Sequence, residues 1–157
     1  VPVVIEVVTE IAADRAVVFD LELDMDVHAA SLAGSAETAR TSTGRRRLSA
    51  GDEVTFRARH FGIRWRMTSR ITMYDRPHRF VDEQVRGPFR MMRHEHTFEQ
   101  VGAARTRMTD RMSVAAPFGM LGSVVTRWMV APYLRRLLVR RAEHIAEMAR
   151  LAGGDPV

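Results

Sequence analysis

From Gly51 to Ala115 apolar and polar residues alternate with period two through one segment after another. Beyond Pro117 and Gly119 the period lengthens to that of a helix and holds to Gly153. A chain written this way must build a sheet first and a long helix last. Val54, Phe56, Ala58 and His60 alternate with Glu53, Thr55, Arg57 and Arg59, and after Gly62 the residues Ile63, Trp65, Met67, Ser69, Ile71 and Met73 alternate with Arg64, Arg66, Thr68 and Arg70. That pattern is an antiparallel hairpin with one wet face. Asp75-Arg76-Pro77-His78 and Gly87-Pro88 are turns that bound a strand from Phe80 to Val85. Phe89 to Glu99 forms the next strand, Gly102 closes it, and a last strand turns Thr106, Met108, Asp110, Met112 and Val114 inward.

The two ends complete the plan. Val3 to Thr9 is a β-branched run with strand character, and Ala12-Ala13-Asp14 offers an N-cap for a short helix through Phe19 and Leu21. Asp24 or Asp26 starts a second helix, Gly34 and Ser35 break it, and Ala36 to Thr43 reads as a weak edge strand before the turn Arg45-Arg46-Arg47. In the terminal helix Leu121, Val124, Val125 and Trp128 form one apolar stripe. Leu134, Leu137, Leu138, Ile145 and Met148 form another, with Pro132 as a kink between them. The expected class is α+β: a curved antiparallel sheet of about six or seven strands, two short helices after the first strand, and one long carboxy-terminal helix.

Composition excludes several functions. The 157 residues, 46% hydrophobic, suit a single domain spanning 1–157 with a real core. The absence of cysteine rules out disulfide staples and thiolate chemistry and, with no signal-peptide pattern at Val1 to Glu6, leads us to expect a cytoplasmic protein. The longest uncharged run, Met112 to Thr126, is too short to span a bilayer, so a soluble protein is expected. All 24 basic residues are arginine, giving a net charge of +5. Beside abundant Ala, Val and Gly this bias matches a GC-rich genome and is no argument for phosphate binding. No phosphate loop, nucleophile elbow or dinucleotide motif is present.

Met92, His94, His96 and Phe98 share one face of their strand, with Asp110 on the next strand, so two imidazoles and a carboxylate lie among methionines and phenylalanines. Asp82 and Gln84 join them across the other neighbouring strand, unless the Phe80 to Val85 register slips by one and presents Glu83. Three chemistries could use the cluster. It could hydrogen-bond the polar end of a greasy ligand, or His94 or His96 could act as a general base oriented by Asp110. It could also hold a divalent metal through the His-x-His pair, which we do not expect because a third histidine is lacking nearby; no metal and no cofactor are assigned.

The order of elements, with Ile11 to Phe19, Arg79 to Gln84 followed by Gly87-Pro88-Phe89, His94-Glu95-His96-Thr97-Phe98, Thr106 to Asp110 and Pro117 to Gly122, resembles the START-like superfamily. That superfamily is also called Bet v 1-like, SRPBCC-type, or polyketide cyclase and lipid-transport; the likeness is to a bacterial ligand-binding branch. The resemblance implies a helix-grip fold whose sheet wraps the long helix around a cavity for a hydrophobic or aromatic small molecule, such as a lipid or polyketide. Its wall would comprise Phe56, Trp65, Met67, Met92, Met108, Met112 and Trp128, and its polar end Asp82, Gln84, His94, His96 and Asp110. Carriage or sensing is the expected role. A cyclase or aromatase using His94 or His96 with Asp110 is the alternative, and an interaction module with a basic sheet face is the second. The outward arginines, Arg57, Arg59, Arg64, Arg66, Arg70, Arg93, Arg105, Arg107 and Arg111, could receive an acidic carrier protein or, transiently, a membrane surface. Nucleic acid is not expected, because no aromatic platform interleaves with them. Arg135, Arg136, Arg140 and Arg141, which follow the apolar Val124-to-Leu134 segment, could touch a membrane during ligand transfer but are expected to face water.

Overall fold

The computed structural model describes residues 1–31 and 38–153. Seven antiparallel strands form one sheet: β1 (Val3–Ile11), β2 (Thr38–Thr41), β3 (Glu53–His60), β4 (Ile63–Asp75), β5 (Arg79–Arg86), β6 (Met91–Gly102) and β7 (Arg105–Ala115). Their order is β1-β7-β6-β5-β4-β3-β2, so sequential hairpins run from β2 to β7 and β1 closes the far edge. Helices α1 (Arg15–Glu22) and α2 (Met25–Ser31) follow β1. The chain ends in α3 (Gly119–Val125), a π-helical segment (Thr126–Val130) and α4 (Ala131–Gly153). This is the helix-grip α+β arrangement. The expected break at Gly34 and Ser35 lies outside the described residues, as do Ala36 and Glu37 of the expected edge strand.

Local chemistry accounts for the element ends. Asp14 caps α1 by accepting from the Ala16 N–H at 2.9 Å, and Asp24 caps α2 by accepting from Asp26 and Val27. The β3–β4 hairpin turns through Phe61 at φ 54° and Gly62 at φ 72°, the left-handed pair of a two-residue turn matched to strand twist. Gly62 adopts that conformation without cost; Phe61 is held in it with its ring 4.7 Å from that of Tyr133 on α4.

Alternation fails near the end of β4. A register irregularity between Ile71 and Met73 turns Met73 outward and Tyr74 toward the core, where its ring meets Phe19 edge-on at 5.5 Å. The expected kink is also relocated. Pro132 lacks an N–H and its ring crowds the carbonyl four residues back. The distortion accordingly appears in the turn before it, where the Ala131 N–H reaches back to Thr126 O in a widened π-helical bond.

The core has two parts. Under α1, Phe19 packs edge-on against Phe80 and Phe98, with Ile11, Val18, Met108 and Ile145 around them. A second cluster joins Ile5, Val7, Met92 and Val114 to Leu138 of α4. Among the described residues no helix is long and apolar enough to cross a membrane.

Candidate functional site

Between the concave face of the sheet and the helices lies a cavity of about 640 Å³. Strands β3 and β4 contribute Phe56, Trp65 and Met67, β6 and β7 contribute Met92 and Met112, and α4 contributes Leu134, Leu137 and Leu138. The acidic and basic residues of the lining are Glu22, Asp82, Arg141, His28, His60 and His94. The volume and the apolar walls match those of small-molecule sites.

Antiparallel pairing builds the polar end. Asp82 stands opposite His94, Phe80 opposite His96, and His96 opposite Asp110. The register with Asp82 facing inward is therefore the one adopted. Asp82 Oδ2 lies 3.3 Å from His96 Nε2 and 3.8 Å from His94 Nδ1. Asp110 Oδ1 lies 2.7 Å from His96 Nδ1, within ion-pair range though off the hydrogen-bond axis, and 3.4 Å from His94 Nε2. The two imidazoles are 3.8 Å apart between centroids, and the far face of His96 stacks on Phe80 at 4.1 Å.

These contacts divide the protonation states. Burial opposes charge on His96, yet Asp110 and Asp82 overcome it and raise its pKa to about 9. Burial lowers the pKa of His94, and the neighbouring His96 charge lowers it further, leaving a neutral imidazole on the cavity wall. Burial also holds His28 well below the usual range. For Asp110 and Asp82 burial acts to raise the pKa, but the histidines prevail and both carboxyls are lowered. The arrangement is a buried His96–Asp110 ion pair behind a neutral His94 and an ionised Asp82.

Several expected residues do not reach the cavity. His96 and Asp110 are almost fully buried behind His94 and Phe80. Met108 is wholly buried in the α1 cluster, because Phe19 and Ile11 fill the space over that part of β7. Gln84 is spent on the β5–β6 turn, donating to Phe89 O at 2.8 Å and accepting from Phe89 N at 3.3 Å. Trp128 is 74% exposed, on a stripe that is itself largely exposed, with Leu121 at 75% and Val124 at 55%. Phe56, Trp65, Met67, Asp82, Met92, His94 and Met112 do line it.

Glu22 and Arg141 are among the lining residues that the sequence did not assign to the site. Glu22 is fully buried, and Arg141, only 14% exposed, meets it at 2.7 Å and also donates to its main-chain oxygen at 3.0 Å. Burial raises the Glu22 pKa while Arg141 opposes the rise. Arg141 thus turns inward rather than to water. The signal was present: Glu22 follows Phe19 by one helical turn, and Arg141 continues the Leu134–Leu138–Ile145 stripe.

Asp82, His94 and His96, and separately Glu22, His96 and Asp110, bring ligand atoms within 4.8 Å of one another. Both trios share His96. Its raised pKa means that a cation would have to displace a well-held proton and break the Asp110 pair, so the donors fit a metal poorly.

Several outward arginines pair across strands with glutamates, Arg70 with Glu53 at 2.5 Å and Arg107 with Glu99 at 3.2 Å among them.

No curated protein sequence matches the chain. Solved structures share its fold. A Thermus thermophilus protein aligns with TM-score 0.79 at 17% identity over 98% of this chain and 100% of its own. The Zhui aromatase/cyclase of a Streptomyces species aligns with TM-score 0.79 at 18% identity over 99% of each chain. A START superfamily protein from Mycobacterium smegmatis aligns with TM-score 0.70 at 13% identity over 92% of this chain and 97% of its own. The family model described as polyketide cyclase / dehydrase and lipid transport matches residues 2–147. The chain belongs to that family.

Proposed function

We propose that the protein binds a hydrophobic or aromatic small molecule in this cavity, for carriage or sensing, with Asp82 and His94 meeting the ligand's polar group. The observation that carries the reading is the cavity itself: about 640 Å³ with apolar walls and Asp82, His94, Glu22 and Arg141 among its few ionisable linings. Such a surface gains from displacing water with an apolar body, while the few polar groups orient it.

An acid–base enzyme of the cyclase or aromatase type is the second reading, favoured by one feature. His94 is neutral, lines the cavity, and is backed by two carboxylates that can stabilise the imidazolium formed when it takes a proton next to a carbonyl. His96, already protonated near neutral pH, would then support His94 rather than act as the base. The fold shared with an aromatase/cyclase is compatible with this role.

Native mass spectrometry of freshly purified protein should reveal a co-purified apolar compound. An environment-sensitive apolar dye should bind and be displaced by long-chain or polycyclic molecules; indifference to all of them would end the binding reading. His94→Gln separates the two roles. A carrier keeps its affinity within about tenfold. A cyclase loses turnover by a factor on the order of 100 or more.

A further inference from the structure

The rim of the cavity is unusually apolar for a surface. Phe118, Met120, Leu121 and Trp128, on and beside α3, are 78%, 88%, 75% and 74% exposed, and Phe61 and Ile63 at the β3–β4 hairpin are 55% and 56% exposed. Phe61, Phe118 and Leu121 also line the cavity, so this surface and the way into the cavity coincide. Clustered exposed apolar side chains of this size mark an interaction site.

Charge is as one-sided as hydrophobicity. The rim is drawn from three spans, 54–74, 84–94 and 111–142, that contain no aspartate or glutamate at all. Arg59 and Arg64 face each other across the hairpin, Arg127 lies in the π-helical segment, and among the described residues none of the three is ion-paired. Arg70 and Arg107, away from the rim, have glutamate partners.

We propose that this rim docks on an anionic lipid bilayer, with α3 and the hairpin tip at headgroup depth and the cavity opening toward the acyl chains. A second copy is a poor occupant, because a two-fold contact here would set the same arginines against one another with no carboxylate to meet them. An acidic protein would match the charge. But Ile63, Met120 and Trp128 stand exposed outside the cavity lining, which suits a fluid phase with no shape of its own, and a tryptophan among arginines fits the interfacial layer. Docking would let an apolar ligand enter without crossing water.

Co-sedimentation and tryptophan emission with vesicles of phosphatidylglycerol and phosphatidylcholine, against phosphatidylcholine alone, test the proposal. The full chain should bind the anionic vesicles with a blue shift and weaken as salt rises. Arg59→Gln/Arg64→Gln/Arg127→Gln should weaken binding on the order of 100-fold, at roughly fivefold per arginine. Met120→Ser/Trp128→Ser should weaken it by about tenfold or more. Both sets lie outside the cavity wall, so dye binding without lipid should be unchanged, and that separates failure of docking from failure of the ligand reading. Absent binding, equal binding to neutral vesicles, or variants that bind like the parent would overturn the proposal. A concentration-dependent dimer abolished by Met120→Ser/Trp128→Ser would reassign the surface to a second copy. Salt-sensitive binding to an acidic carrier protein without vesicle binding would reassign it to that partner.

Discussion

At the scale of the residue, His94 and His96 show how two identical side chains two positions apart acquire different chemistry. Both face inward, but His96 sits between Asp82 and Asp110 with Phe80 behind it, whereas His94 borders the cavity. The pH dependence follows from the direction of the His96 shift. A group whose folded pKa of about 9 exceeds its ordinary value near 6.5 contributes stability that is full below the lower value and lost as pH rises through the higher. The stability difference between the protein and His96→Gln, measured by urea unfolding from pH 6 to 10, should therefore shrink from about pH 6.5 upward and level off above about 9. A difference independent of pH would contradict the assignment. Imidazole resonances give a direct reading that does not depend on the variant folding, since His96 should still be protonated at pH 7.5 while His94 is neutral.

At the scale of the element, the β3–β4 hairpin and the helix that follows β7 both border the cavity. The hairpin tip needs Gly62 at φ 72°, so Gly62→Ala should destabilise by about 1 kcal/mol. Gly102 is the comparison: it has no left-handed backbone, and an added Cβ would sit 3.5 Å from that of Arg105, an ordinary contact. Gly102→Ala should cost less in the same denaturation experiment; equal costs would deny the turn its role. Alternation made β3, β6 and β7 legible because each keeps one face on the interior throughout. It misled at Met73, where an irregular register changes the parity, and periodicity misled at Trp128, whose stripe with Leu121 and Val124 faces outward. The register irregularity at Met73 has no residue type of its own.

At the scale of the whole molecule, stability and ligand binding make opposite demands on the space between sheet and helices. Ala58, half-buried on β3, borders the cavity opposite Trp65. Ala58→Phe should fill part of it, lowering affinity for the displaced dye by more than about tenfold while leaving the melting temperature unchanged or higher. Unchanged affinity would place the dye elsewhere. The sequence alone determined an antiparallel sheet of about six or seven strands followed by a long helix, the inward face of β6 and β7, and the meeting of His94, His96 and Asp110, because these follow from periods of two and 3.6 and from turn residues. Tertiary structure alone decided which inward residues reach the void. Met108 and His96 face inward as surely as Met92 and His94, yet α1 covers the first, and the second is enclosed by Phe80, Asp82 and Asp110. Arg141 is drawn inward by Glu22, 119 residues away in sequence. Whether an inward side chain lies in solid core or at a cavity wall depends on what packs over it from distant parts of the chain, and no local pattern encodes that.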